Sequence, residues 1–132
     1  MKIDHIAIAV NNVEESAKIY QEALGVDIVK FETVESEGVK LAIIPLENGR
    51  IELMQPMNDE SPIKKFLDKK GPGLHHVALQ TDNIEGEVER MEECGIQFLG
   101  KIRPGSEGTK VIFIHPKSLS GVLAELCSHP KL

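Results

Sequence analysis

The chain is written twice. Laying residues 3–23 over 74–94 at a constant offset of 71 matches His5 with His76, Ala7 with Ala78, Asn12 with Asn83 and Glu14 with Glu85. Each copy opens with alternating apolar and polar residues, the period of a strand, and then passes an Asn. Apolar residues follow at helical spacing: Val13, Ala17, Tyr20 and Leu24 in the first copy, Ile84, Val88 and Met91 in the second. Asn12 and Asn83 read as N-caps, and Gly25 and Gly95 as stops. Three strand-like segments come after each helix, at about 27–34, 38–46 and 50–55, then at about 97–103, 109–115 and 121–127. A second match joins the ends of the copies, where Ile51-Glu52-Leu53 answers Ala124-Glu125-Leu126 at an offset of 73. Each copy is predicted to be βαβββ, so the fold class is α+β.

A half of about 60 residues buries too little surface to be stable alone, so the two halves are expected to pack together as a single domain over 1–132. Module one is placed at about 1–57 and module two at about 73–128. Between them, Ser61-Pro62-Ile63 reads as an N-cap, a Pro at the first helical position and the first apolar residue. Phe66 and Leu67 continue that face, and Lys69-Lys70-Gly71 close a linker helix of about 61–70. Gly71-Pro72-Gly73 has no strand before it, so it is no phosphate loop.

The chain has 132 residues, 41% of them hydrophobic and 27% charged, a composition that sets it apart from disordered chains. Its net charge of −6 argues against a nucleic-acid partner, which would require clustered Lys and Arg. No apolar run approaches the roughly 20 residues that cross a bilayer. The alternating pattern begins at Met1-Lys2-Ile3, which leaves no room for a signal peptide, and a cytoplasmic location is expected. Cys94 and Cys127 form no C-x-x-C pair and read as small buried apolar residues.

The repeat also selects the chemistry. Strand parity puts His5 with Ile3, Ala7 and Ala9, while Ile6, Ile8 and Val10 face the helix. His76 repeats this with Leu74, Ala78 and Gln80, and Glu52 and Glu125 interrupt otherwise apolar strand ends. A mid-strand ionisable group in apolar surroundings is costly unless it is paired or bound to a cation. Any one of these four residues alone would be a rim carboxylate or a satisfied strand histidine. All four fall at repeat-equivalent positions, which points to a divalent metal held by His5, Glu52, His76 and Glu125. Two imidazoles with two carboxylates suit Co, Mn, Zn, Ni or Fe better than Ca. His75 points to the opposite face and reads as a supporting or structural residue. His115 and His129 have no repeat partner, and His115 reads as a loop-entry residue near the site mouth.

These residues carry a resemblance to the vicinal oxygen chelate superfamily (the glyoxalase/bleomycin resistance/dioxygenase group), and within it to the methylmalonyl-CoA epimerases. The matching segments are Asp4-His5-Ile6-Ala7-Ile8-Ala9-Val10, the linker helix, Gly73-Leu74-His75-His76-Val77-Ala78, and the final hairpin Phe113-Ile114-His115-Pro116-Lys117-Ser118 with Gly121-Val122-Leu123-Ala124-Glu125-Leu126. The resemblance implies two modules packed edge to edge in a curved eight-stranded mixed sheet, with the helices on the outer face and the metal in the concavity. It also implies a homodimer, an acyl-CoA substrate and a role in propionate metabolism. The implied reaction interconverts (R)- and (S)-methylmalonyl-CoA by abstracting the C2 proton through a metal-chelated enolate. Four protein ligands on an octahedral ion leave two open positions, which the thioester and carboxylate oxygens would fill.

Epimerisation requires proton delivery to both faces, so two acid/base groups are expected. Glu125 is the first candidate, and the resemblance implies a second near residue 40, where this sequence offers Glu37 or Lys40. Lys64, Lys65, Lys69, Lys70 and Lys117 are available to CoA phosphates. A glyoxalase-I-type lyase shares the ligand pattern and stands as the alternative enzyme. A metal-free small-molecule binding protein of the same fold stands as the alternative from another class, and it has no need of four aligned ligands.

Overall fold

The computed structural model describes residues 1–27 and 29–131. Among them are eight strands and three α-helices: β1 (Lys2–Ala9), α1 (Val13–Leu24), β2 (Lys30–Val34), β3 (Val39–Leu46), β4 (Gly49–Pro56), α2 (Pro62–Lys70), β5 (Gly73–Gln80), α3 (Ile84–Glu93), β6 (Phe98–Pro104), β7 (Lys110–Ile114) and β8 (Ala124–Ser128). The chain forms two compact units, one of His5–His75 and one of Met1–Asp4 with the residues from His76 onward.

In the first unit the hydrogen-bonded strand order is β2-β3-β4-β1, antiparallel except for the parallel β1–β4 pair. In the second it is β6-β7-β8-β5, again antiparallel except for parallel β5–β8. Each unit is thus βαβββ with its first strand set beside its last. A parallel pair needs a long crossover, and the intervening helix and hairpin supply it.

Local chemistry explains the element ends. The Asn12 side chain accepts from the Glu15 N–H at 3.0 Å, and Asn83 accepts from Gly86 at 3.1 Å, which satisfies donors that the first helical turn leaves open. Gly25 ends α1 in the left-handed conformation at φ 65°, a position where a Cβ would be strained. Ser61 caps α2 by accepting from Ile63 at 3.3 Å, and Pro62 takes the first helical position.

Strand parity sorts the first unit into two cores. Ala42, Ile44 and Leu53 pack with Val13 and Ala17 of α1 and with half-buried Ile8, Tyr20 and Ile51. On the other face Ala7, Ala9, Leu41, Ile43 and Met54 pack with Ile63 of α2, and Phe66 and Leu67 lie against them. In the second unit Ile84 of α3 packs with Ile112, Ile114, Ala124 and Leu126, flanked by Val88 and Met91. These are the helix faces read from the sequence, except that Leu24 at the end of α1 is exposed.

Other boundaries differ from expectation. β8 starts at Ala124 rather than at 121, because Ser120 and Gly121 both have positive φ and turn the chain. Three short 3-10 turns, Glu35–Glu37, Ser106–Gly108 and Pro116–Leu119, occupy connections between strands. The predicted strand at 27–34 includes Ile28, which lies outside the described residues.

Candidate metal centre

In the first unit β1 brings His5 and β4 brings Glu52. The parallel register sets Ala7 against Glu52 and His5 against Arg50. His5 Nδ1 stands 3.3 Å from Glu52 Oε2. Both residues are 4% exposed, on the face that carries Ala7, Ala9 and Met54, which α2 covers. Arg50 lies two residues before Glu52 and so on the same face, and its Nη2 is 3.2 Å from the same Oε2.

The second unit repeats the arrangement. Its parallel register sets Ala78 against Glu125, as Ala7 is set against Glu52. His76 Nε2 and Glu125 Oε2 are 3.8 Å apart, and both residues are buried. The Phe113 ring meets His76 edge to face at a centroid separation of 5.0 Å, and the Arg103 guanidinium lies over Phe113 at 5.3 Å. Phe113 also opposes Glu125 in the β7–β8 register, so one aromatic ring fixes both the imidazole and the carboxylate neighbourhood.

The donor set tests whether a metal fits. Each unit presents one imidazole nitrogen and one carboxylate, both nearly removed from water and neither a soft sulfur ligand. A buried carboxylate is costly unless a cation or a hydrogen bond compensates it. Imidazole nitrogen and carboxylate oxygen are hard-to-borderline donors that first-row divalent ions take, so the donors within each unit suit such an ion.

Glu37 and Lys40 separate. Lys40 lies on the α1 side of β3 with Ala42 and Ile44, and its ammonium is bonded to Glu14 of α1. That bond holds the Glu14 carboxyl below its ordinary pKa. Lys40 is therefore not brought to the face of His5 and Glu52. Glu37 is half-buried in the turn before β3. The next residue, Gly38, lies against Ser61 at the head of α2, the helix that covers the face carrying His5 and Glu52.

His75 meets Phe66 edge-on at 5.0 Å, and burial pushes its pKa down to about 4, so it stays neutral at neutral pH. His115 accepts from the Lys117 N–H at 3.1 Å and caps the 3-10 turn that follows β7, as a loop-entry residue. Cys127 is buried as expected, but Cys94 is exposed at the end of α3. Of the helix lysines, Lys64 pairs with Asp68 at 2.6 Å and Lys70 stands over the Phe66 ring at 5.7 Å.

Two further partners were not singled out from the sequence. One is Arg50, whose parity with Glu52 was the available signal. The other is the pair formed by Asp4 Oδ1 and His129 Nε2 at 2.5 Å, between residues 125 positions apart, for which the sequence holds no signal.

Among the described residues no helix is long and apolar enough to cross a membrane. Residues 4–113 match the model of the Glyoxalase/Bleomycin resistance protein/Dioxygenase superfamily. The chain is 38% identical over 128 residues to the mitochondrial methylmalonyl-CoA epimerase of Dictyostelium discoideum, covering 95% of this chain and 76% of the relative. It is 36% identical to the ethylmalonyl-CoA/methylmalonyl-CoA epimerase of Cereibacter sphaeroides, over 95% of this chain and 96% of that one. The crystal structure of methylmalonyl-CoA epimerase from Mycobacterium tuberculosis superposes with a TM-score of 0.94 at 31% identity, covering 98% of this chain and 89% of that one. With a matching family model, near full-length identity and a shared fold, the chain belongs to the methylmalonyl-CoA epimerase family of the glyoxalase/bleomycin resistance/dioxygenase superfamily.

Proposed function

We propose that the protein is a divalent-metal methylmalonyl-CoA epimerase in which His5, Glu52, His76 and Glu125 hold one ion and the two modules work as a single domain. The observation that carries this reading is the repeated register. Ala7 opposes Glu52 and Ala78 opposes Glu125, so each module of an epimerase-family chain presents a buried imidazole beside a buried carboxylate.

A bound divalent ion supplies Lewis-acid stabilisation of negative charge on the substrate oxygens. The protein residues do the rest. His5 and His76 donate as neutral imidazoles, and Glu52 offsets the ion's charge. Glu125 takes the C2 proton of methylmalonyl-CoA. Glu37 is the candidate for returning a proton to the opposite face, because Lys40 is held on the α1 side by Glu14.

The enzyme is proposed to act in the cytoplasm as a homodimer. β2 and β6 stand at the ends of their strand orders, where a further strand would pair, and Phe31 on β2 is 48% exposed. Metal analysis of the purified protein, combined with NMR of the C2 proton of methylmalonyl-CoA in deuterated water, tests the proposal. One ion per chain with exchange at C2 supports it. An ion bound without exchange refutes the epimerase reading in favour of a glyoxalase-type reaction.

A further inference from the structure

A second set of donors meets in the unit of Met1–Asp4 and the residues from His76 onward. Asp4 of β1, Cys127 of β8 and His129 just past β8 bring a carboxylate oxygen, a sulfur and a ring nitrogen within 4.8 Å of one another. Asp4 Oδ1 and His129 Nε2 are 2.5 Å apart. Asp4 and Cys127 are buried, and Cys127 forms no disulfide. The His129 side chain is 29% exposed, which gives an ion a path in from solvent.

The sulfur is the most firmly placed of the three. Cys127 lies in β8 between Gln80 of β5 and Val111 of β7, and its carbonyl accepts from the Thr81 N–H at 2.9 Å. His129 follows two residues later, beyond the strand end, where a partly exposed ring can shift. Around a tetrahedral ion, nitrogen and oxygen donors at about 2.0–2.2 Å from the metal stand roughly 3.3 Å from one another, so Asp4 and His129 need to part by less than about 1 Å.

We propose that Asp4, Cys127 and His129 form a second metal site, for a zinc-class ion, with water in the fourth position. The donor types set that class. Magnesium and calcium take oxygen ligands, whereas a thiolate beside an imidazole suits zinc or cobalt. Binding releases the Cys127 thiol proton to solvent, and the thiolate with the Asp4 carboxylate cancels the charge of a divalent ion. The ion ties residue 4 to the end of β8, a structural role that does not rest on the epimerase reading.

The rival account is a His129 N–H donated to Asp4 beside a cysteine that only packs. An Asp4 oxygen also lies within 4.8 Å of donor atoms of His5 and Glu52, so the readout has to belong to one ion alone. Sulfur supplies it, because His5, Glu52, His76 and Glu125 contain none.

The full chain, kept reduced, is titrated with cobalt(II) and followed by absorption. A thiolate-to-cobalt charge-transfer band in the near ultraviolet should appear and saturate at one such ion per chain. Zinc should bleach it, and a large excess of magnesium should not. Cys127→Ala should abolish the band, and Cys94→Ser, at the exposed end of α3, should leave it. His129→Gln should raise the cobalt concentration at half-saturation by about tenfold or more. Because Cys127 is buried, the His129 variant carries the test if Cys127→Ala folds poorly. No band in wild type at saturating cobalt, a band that persists in Cys127→Ala or vanishes in Cys94→Ser, or a midpoint unmoved in His129→Gln overturns the site in favour of the rival. C2 exchange is not read, so failure of the epimerase proposal would leave this result standing.

Discussion

Replacement of Glu125 by Gln separates the two tasks assigned to that residue. The side chains are nearly isosteric, and Glu125 sits 7% exposed opposite Phe113, so the exchange leaves no cavity. Its Oε2 lies 3.8 Å from His76 Nε2. The amide keeps an oxygen donor but loses the charge and the ability to accept a proton at neutral pH. General base catalysis contributes roughly 10²–10⁴ in rate, or about 3–5 kcal/mol at about 1.36 kcal/mol per decade. With cobalt at saturation, verified from its visible absorption, C2 exchange in Glu125→Gln should fall at least a hundredfold. Exchange within about tenfold of wild type at full metal occupancy would refute the assignment of Glu125 as the base.

Three other outcomes follow from the same geometry. Lys40→Met should leave C2 exchange within about twofold and stability within about 1 kcal/mol, since the Lys40–Glu14 pair is a surface salt bridge; a large activity loss would show that Lys40 reaches the site. His75 has a folded pKa of about 4 against an unfolded value near 6.5, so the unfolded chain binds the proton first as pH falls. Its contribution is complete above about pH 6.5 and declines toward pH 4, by up to about 2 kcal/mol at pH 5 before allowance for partial solvent access. Urea titrations of the metal-free protein at pH 7 and 5 should show a smaller acid loss in His75→Phe than in wild type. Removing the metal by chelation should lower the melting temperature, with a stabilisation of about 2.7 kcal/mol restored when free zinc stands at 100 times its dissociation constant; a melting temperature indifferent to zinc would count against a metal site.

The part of this structure that could be read from the sequence is the part specified by periodicity. Both βαβββ modules, the three caps and the linker helix follow from apolar spacing and from Asn12, Asn83 and Ser61, all local signals. The strand pairing of β1 with β4 and of β5 with β8 is not local. The repeat nevertheless selected His5, Glu52, His76 and Glu125, and the structure pairs them within each unit as His5 with Glu52 and His76 with Glu125. Lys40 shows where the reading stopped short. Its parity with Ala42 and Ile44 already placed it on the helix side, but only the structure supplies Glu14 as its partner. Arg50 was overlooked for the opposite reason: an arginine near a tight turn looks like a surface residue until the β4 register sets it against His5. Cys94 is exposed because α3 ends there, and a boundary residue is the least predictable from spacing alone.

The bond between Asp4 and His129 links two positions 125 residues apart in the sequence. A partly buried side-chain contact ties residue 4 to residue 129 and so adds a restraint on a long circuit of chain. Trimming the last few residues, or attaching a bulky tag beyond them, would therefore be felt at the opposite end of the sequence, one residue from His5. Joining the two ends with a short peptide and opening the chain elsewhere, in the exposed stretch around Met57–Glu60, is a rearrangement this contact already favours.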